Sequence, residues 1–294
     1  MLLFHRHPKC IASAGAIAIA LLLATQALAE DLTSTVRAWQ DRLDARIGVL
    51  LIHPASGWEI AHDADSRFPL NSTFKPLLCA TILSRVDQGL EQLSAQVDIR
   101  KKDLVGFSNV TKHHIDAQLN VGQLCDAAIT RSDNTATNLL LERLGGPQEF
   151  TGYMQQIGDQ TTRLDRWETD LNTGTPGDPR DTTTPRSILS SLNKALFGTL
   201  LTDTSSAQLA DWMERDQLAD DLIRAHLPKG WRIGDKTGAG AQGSRGLIAF
   251  LQDTQGEQYL AAIYITETTV ELSDRNQAIS DIGRVMIDEI KARK

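Results

Sequence analysis

The chain has 294 residues with 30 basic and 37 acidic side chains, which gives a formal net charge of −7 at pH 7. A nucleic acid is not expected as a partner, because polyanions are bound by basic surfaces. The length is sufficient for one large domain or for two interleaved domains.

The N-terminal segment has the organisation of a secretory signal peptide. Arg6 and Lys9 precede an apolar run at 11–24, and Ala27-Leu28-Ala29 supplies an A-x-A end. The apolar run is too short to span a bilayer comfortably. We therefore expect cleavage after about Ala29, a periplasmic location, and no membrane contact by the mature chain. The mature chain would carry a formal charge of 28 − 37 = −9.

Hydrophobic patterning predicts a β-hairpin, then a helical region, then strands and a last helix. The hairpin comprises Arg46–His53 and Trp58–Ala61 around a Pro54–Gly57 turn. Residues 163–183 are rich in Asp, Thr, Gly and Pro and predict a long ordered loop. Helices are predicted at 72–89, 121–131, 135–144, 187–200, 205–215 and 274–294, and strands at 231–237, 247–252 and 258–265.

This order predicts an α/β (α+β) fold. Strands near both termini indicate one antiparallel sheet, flanked by helices, with an all-helical domain inserted between the two halves of the sheet. We assign residues 30–66 and 214–294 to the α/β domain. Residues 67–213 form the helical domain, including a loop at 163–181.

Three short motifs point to acyl transfer. They are Ser72-Thr73-Phe74-Lys75, Ser132-Asp133-Asn134 and Lys236-Thr237-Gly238. The first alone is better explained by a helix-capping serine and a surface lysine. Together they supply a nucleophilic serine, a lysine to help move its proton, a second hydroxyl and a second cation. The set therefore predicts that Ser72 is acylated.

Two cysteines remain after removal of the signal peptide, which contains Cys10. Cys79 follows Ser72 by seven residues, and Cys125 precedes Ser132 by seven. Seven residues are about two helical turns, so each cysteine shares a helix face with its serine. In an oxidising compartment we expect a Cys79–Cys125 disulfide between the two helices. Two buried free thiols are the alternative.

The three motifs resemble those of the class A serine β-lactamases, and the resemblance covers essentially the whole mature chain. Phe68-Pro69-Leu70 leads into the first motif, and 163–172 looks like the Ω-loop signature of that family. Further stretches that fit the family are 181–185, 243–246 and 274–276. The resemblance implies the serine β-lactamase/D,D-peptidase-like fold and hydrolysis of penicillins and early cephalosporins. It also implies a monomer that binds β-lactam substrates and inhibitors and needs no cofactor.

The resemblance assigns roles residue by residue. The catalytic set is Ser72, Lys75, Ser132 and Glu168. Ser72 would attack the lactam carbonyl, Ser132 would pass a proton to the departing nitrogen, and Glu168 would activate the water that releases the acyl group. Whether Lys75 or Glu168 is the base for acylation stays open. The implied substrate-binding residues are Phe107, Asn134, Asn172, Lys236, Thr237, Ala239 and Arg245, and the implied Ω-loop ion pair is Arg166–Asp181.

Some features leave alternatives open. Phe107 is equally well explained as a core aromatic, and Thr169 stands where the family usually has a proline, often after a cis bond. The mature histidines form no H-x-H-x-D cluster, so a zinc enzyme is not expected. The rival functions are a penicillin-binding D,D-peptidase and a protein that binds β-lactams or peptidoglycan without hydrolysis. Glu168 and Asn172 favour the hydrolase.

Overall fold

Residues 31–293 are described by the structure, a computed structural model, and the predicted signal peptide at 1–29 lies outside them. From Leu32 onward the chain packs as one compact unit. The division into two domains, at 30–66 with 214–294 and at 67–213, therefore stays a prediction. None of the helices within 31–293 combines the length and apolar character needed to cross a bilayer.

A five-stranded antiparallel sheet is built from both ends of the chain, as predicted. Its strands are β1 (Arg46–His53), β2 (Trp58–His62), β7 (Arg232–Ala239), β8 (Arg245–Gln252) and β9 (Gln258–Thr266), and their order across the sheet is β2-β1-β9-β8-β7. The central strand β9 places Ala262 opposite Leu50 of β1 on one side and Ile248 of β8 on the other.

Eight α-helices within residues 31–293 surround this sheet, and the expected α+β fold class is confirmed. Side-chain caps define several of their starts. The Asn120 side chain accepts from Gln123 N, Asp133 from Ala136 N, and Thr184 from Ser187 N. The helices are α1 (Leu32–Leu43), α2 (Lys75–Asp87), α3 (Val121–Thr130), α4 (Asn134–Leu144), α5 (Pro147–Gln156), α6 (Pro185–Leu196), α7 (Asp203–Glu214) and α8 (Leu272–Ala292).

The two faces of the sheet belong to two hydrophobic cores. In β1, Val49 and Leu51 face the core formed with α1 and α8, whereas Leu50 faces the core of the helical region. This alternation follows from the two-residue period of a strand. Helix α2 is buried from Lys75 to Ser84 and lies at the centre of the second core. Three residues of the first motif, Thr73, Phe74 and Lys75, are therefore buried, whereas Ser72 is half-buried.

Several elements differ from the sequence prediction. The helix expected from Ser72 starts later, because Asn71–Phe74 is a 3₁₀ turn and α2 begins at Lys75. Helical periodicity does not separate these two forms over one turn. The prediction also missed α1, α5 and two short strand pairs. These pairs are β3 (Phe68–Pro69) with β6 (Thr182–Thr183), and β4 (Gln96–Ile99) with β5 (Ala117–Asn120).

The cysteine prediction requires correction. Helices α2 and α3 do bring Cys79 and Cys125 side by side, and both are fully buried, but both are free thiols. Burial raises the pKa of the Cys79 thiol well above its usual value, and contact with Cys125 acts in the same direction. The shared helix faces predicted only that the two cysteines lie close together. A disulfide also requires an oxidising environment, which the packing of the helices does not supply.

Candidate active site

A cleft of about 430 Å³ brings the three motifs together. It is recognised by its convergent polar groups rather than by its size, because a hollow of about 680 Å³ near Trp58 and Tyr259 is larger. The cleft lies between the 3₁₀ turn, the start of α4, the Ω loop (residues 163–181) and β7. Its lining residues are Ser72, Phe107, Ser132, Asn134, Asn172, Leu218, Thr237, Gly238, Ala239, Arg245, Leu272 and Asn276.

Ser72 lies half-buried in the 3₁₀ turn, directly against the third motif. A Cβ added to Gly238 would lie 2.8 Å from Ser72 N and 2.8 Å from the Asn71 Cβ. Only a residue without a side chain allows β7 to approach the turn so closely. On its other side the turn is tied to β9, because the Thr73 hydroxyl lies 2.7 Å from the Tyr264 hydroxyl. Ser72 is thus held between two strands.

Lys75 lies beneath the cleft and connects the first motif to the second motif and to the Ω loop. Its Nζ is 3.0 Å from Glu168 Oε1, and both side chains are fully buried. The same ammonium donates to Asn134 Oδ1 over 2.7 Å and to Ser132 O over 3.0 Å, with Ser132 Oγ at 3.4 Å. Burial lowers the pKa of Lys75, and the charge of Glu168 opposes that shift.

The middle residue of the second motif positions the other two. The carboxylate of Asp133 is fully buried and accepts from Val110 N, Thr111 N and the Thr111 hydroxyl over 2.8–3.0 Å. It also caps α4. Asn134, the first residue of α4, donates from Nδ2 to Gly106 O over 2.8 Å. Asp133 therefore fixes the direction of the side chains on either side of it.

The Ω loop presents Glu168 to Lys75 through contacts with α4. Asn138 Oδ1 accepts from Glu168 N, and Asn138 Nδ2 donates to Glu168 O, both over 2.9 Å. Asn172 Nδ2 donates to Glu168 Oε2 over 2.7 Å. Asn172 Oδ1 is buried and has no hydrogen-bond partner among the described residues. The peptide bond between Glu168 and Thr169 is cis.

The neck of the Ω loop is closed by the expected ion pair. Arg166 Nε donates to Asp181 Oδ2 over 2.5 Å, and Asp181 is 1 % exposed. Asp181 Oδ1 also accepts from Asp165 N over 2.7 Å and from Arg166 N over 3.0 Å. Leu70 N donates to Asp181 O over 2.9 Å. The end of the loop is therefore bonded both to its own start and to the segment before Ser72.

Two cations lie on the β7 side of the cleft. Lys236 is fully buried behind the lining residues, where its Nζ donates to Thr237 O over 2.9 Å. Burial lowers its pKa to about 8, and the charge of Asp216 opposes the shift. Arg245 lines the cleft and donates to Asn276 Oδ1 over 2.8 Å and to Gly238 O over 3.2 Å. Burial lowers the pKa of Arg245 to about 10, so both groups are charged at neutral pH.

The rim of the cleft is apolar and open. Phe107 is 55 % exposed and lines the cleft, so it is not a core aromatic. Leu218 and Leu272, which the sequence reasoning missed, are 37 % and 43 % exposed and lie on the same rim. A single leucine in a polar stretch carries no sequence signal. Asn138 did carry one, because it lies one helical turn after Asn134 on the same face of α4.

Comparisons with known proteins agree with this geometry. A model of the β-lactamase enzyme family matches residues 28–290. A solved structure of an ancestral class A β-lactamase is 44 % identical, with a TM-score of 0.86 over 88 % of this chain and 100 % of that one. The class A β-lactamase of the last common ancestor of Gram-negative bacteria is also 44 % identical, with a TM-score of 0.86 over 88 % of this chain and 99 % of that one.

A doubly substituted variant of that ancestor, solved with the transition-state analogue 5(6)-nitrobenzotriazole, is 43 % identical to this chain. Its TM-score is 0.87, over 89 % of this chain and 99 % of the variant.

Proposed function

The chain belongs to the β-lactamase enzyme family and is a class A β-lactamase, and from this premise we propose that Ser72 forms the acyl-enzyme that Glu168 and Asn172 then hydrolyse. The observation that carries the proposal is the buried contact between Lys75 and Glu168 beside Ser132. It joins the acylation and deacylation groups in one hydrogen-bonded set.

In acylation, the Ser72 oxygen bonds to the lactam carbonyl carbon and the lactam C–N bond breaks. The serine proton passes to Glu168 through water or to Lys75 in its neutral amine form. The Ser132 hydroxyl gives its proton to the departing nitrogen and regains one from the Lys75 ammonium. The geometry supports this route because the Lys75 ammonium touches both Ser132 and Glu168. The N–H groups of Ser72 and Ala239 hold the developing oxyanion, a contribution of about 3–4 kcal/mol per donor in serine enzymes.

In deacylation, a water attacks the ester carbon, gives its proton to Glu168 and returns Ser72 to its hydroxyl form. The support comes from two side-chain oxygens, one of Glu168 and one of Asn172. Glu168 Oε2 is fixed by Asn172 Nδ2, and the buried Asn172 Oδ1 has no partner within residues 31–293. A buried acceptor of this kind is satisfied by an ordered water. Such a water would lie between the two side chains that the hydrolysis needs.

Substrate recognition follows from the two sides of the cleft. Thr237 and Arg245 would bind the β-lactam carboxylate with charge-assisted hydrogen bonds, and Lys236 would supply charge from behind them. Asn134 would bind the side-chain amide, and Phe107 would cover the outer edge. Gly106, Gly240 and Ala241 are small, which favours penicillins and early cephalosporins as substrates. Arg245 favours recognition of clavulanate-type inhibitors.

The remaining parts of the proposal concern the whole protein. We place the mature enzyme in the periplasm as a monomer starting near residue 30, with an α/β domain (30–66 and 214–294) around a helical one (67–213). The mass of the exported protein and its sedimentation would check the first two statements.

One experiment tests the catalytic assignment. Purified parent protein should turn over a chromogenic cephalosporin many times, whereas Glu168→Gln should accumulate a covalent adduct visible by intact-mass spectrometry. Ser72→Ala should show neither turnover nor adduct. Stoichiometric acylation of the parent without turnover would contradict the proposal and favour a D,D-peptidase or a binding protein.

A further inference from the structure

Asn71, the residue immediately before Ser72, combines a fully buried polar side chain with a left-handed backbone, whose φ is +44°. Glycine adopts this conformation most readily, and a buried amide is unfavourable unless it is hydrogen-bonded. Asn71 was not among the residues that the sequence motifs singled out. Its one side-chain partner is therefore informative.

That partner lies in the hairpin that carries the second oxyanion donor. Asn71 Nδ2 donates to Ser244 Oγ over 3.1 Å, and both residues are buried. Ser244 lies in the turn between β7 and β8, where its carbonyl accepts from Gly240 N over 3.1 Å. A Cβ on Gly240 would lie only 2.3 Å from Asn71 Oδ1. The amide of Asn71 is thus enclosed by the hairpin as well as bonded to it.

The position of this contact gives it a consequence for catalysis. The two proposed oxyanion donors, Ser72 N and Ala239 N, lie on separate elements, the 3₁₀ turn and β7. Asn71 is adjacent to the first donor, and the Gly240–Ser244 pair is adjacent to the second. We propose that Asn71 is a positioning residue that sets the separation of the two oxyanion donors through its hydrogen bond to Ser244. This inference rests on the proposed function of Ser72.

The nucleophile itself has a second, independent support. Thr73 Oγ1 contacts both Leu70 O and the Tyr264 hydroxyl over 2.7 Å, which ties the 3₁₀ turn to β9. Loss of the Asn71 amide should therefore leave the turn folded and Ser72 in place. It should alter mainly the alignment of the oxyanion donors, to which rates of acyl transfer are very sensitive.

The test uses Asn71→Gly, because glycine suits the left-handed backbone and only the amide is lost. Ser244→Ala removes the other partner, and the double variant completes the cycle. The probe is phenylboronic acid, whose tetrahedral adduct with a serine carries an oxygen toward the oxyanion site. Stopped-flow acylation by a chromogenic cephalosporin gives the rate constant and the half-saturating concentration separately.

We expect each single variant to weaken phenylboronic acid binding and to slow acylation about tenfold. The half-saturating concentration should stay within twofold of the parent, and the double variant should be no worse than either single variant. Boronate affinity within twofold of the parent in Asn71→Gly would overturn the inference, as would penalties that multiply in the double variant. If Asn71→Gly does not fold, the same criterion for boronate affinity is applied to Ser244→Ala alone. A failure of the proposed function would be seen separately, as absence of acylation in the parent.

Discussion

The floor and the rim of the cleft differ both in burial and in how their side chains are connected. On the floor, the side chains of Lys75, Lys236 and Glu168 are fully buried, and their polar atoms contact one another or the motif residues. On the rim, Phe107 is 55 % exposed and Leu272 is 43 % exposed. A buried charge depends on its partner, so its removal affects several groups at once. A rim side chain contributes only the apolar area that it covers.

The largest effect should follow from substitution of Lys75 in the floor of the cleft. Lys75→Met should slow acylation by about 10³-fold, because proton transfer loses a positioned group. It should also lower the free energy of unfolding by about 3–5 kcal/mol, since Glu168 is left as a buried charge without its cation. Stopped-flow acylation and urea unfolding measure the two effects.

A matched variant separates these effects. Lys75→Met combined with Glu168→Gln removes the uncompensated charge, so stability should recover while activity does not. If Lys75→Met unfolds at the same urea midpoint as the parent, the Lys75–Glu168 contact has no net influence on stability.

The next effect should appear at the neck of the Ω loop. Asp181→Asn removes the charge that Arg166 contacts, and a hydrogen bond to a charged group is worth about 1.5–3 kcal/mol. The Asp181 side chain bonds to the start of the loop that carries Glu168, whereas its bond to Leu70 comes from the backbone carbonyl, which the substitution keeps. Deacylation should therefore fall about 10- to 100-fold while acylation changes much less. The size of the pre-steady-state burst reports this difference.

The control for the neck lies in the same loop. Arg180 pairs with Asp178, but its side chain is 52 % exposed, and exposed pairs contribute little. Arg180→Gln should therefore leave both rate constants near those of the parent. A deacylation defect in Arg180→Gln equal to that of Asp181→Asn would contradict a special role for the neck.

The third effect concerns pH. Burial lowers the pKa of Lys236 to about 8, and the charged groups that act on it are Asp216, Lys75, Arg245 and Asp235. Lys236 is cationic below pH 8 and neutral above it. For a substrate with a free carboxylate, kcat/KM should therefore fall as pH rises through 8, by up to about tenfold per pH unit. Most of the change should be in KM.

An esterified β-lactam provides the comparison, because it has no carboxylate for Lys236 to attract. Its kcat/KM should not show this limb between pH 8 and 9. The same fall with both substrates would show that the limb does not arise from attraction between Lys236 and the substrate carboxylate.

The smallest effect should come from the rim. Phe107→Ala removes a half-exposed ring that covers little apolar area, so KM should rise about fivefold or less, with kcat nearly unchanged. Leu90→Ala is the matched control, because Leu90 is 63 % exposed and is not a lining residue of the cleft. A fall in kcat of more than tenfold in Phe107→Ala would show that Phe107 influences the chemical steps, as the buried floor residues do.

The sequence predicted which residues lie together in the floor of the cleft better than it predicted their contacts. The order and spacing of the motifs place Ser72, Ser132 and Lys236 in one site, and the strands near both termini predict the sheet. That Lys236 lies behind the cleft wall depends on how β7 packs against the 3₁₀ turn, which no local pattern encodes. The contact between Asn138 and Glu168 joins residues 30 positions apart. The state of Cys79 and Cys125 depends on the surroundings of the protein.

The closed neck of the Ω loop also has a consequence for engineering. Arg166 and Asp181 join the two ends of the loop, whereas its tip at 175–177 is exposed. The entropy of loop closure grows slowly, by about 0.6 kcal/mol for each doubling of length. A peptide inserted between Pro176 and Gly177 would lengthen the loop, but the Arg166–Asp181 contact would still join its two ends. We therefore expect that a foreign epitope or reporter inserted at the tip leaves the contact between Glu168 and Lys75 intact.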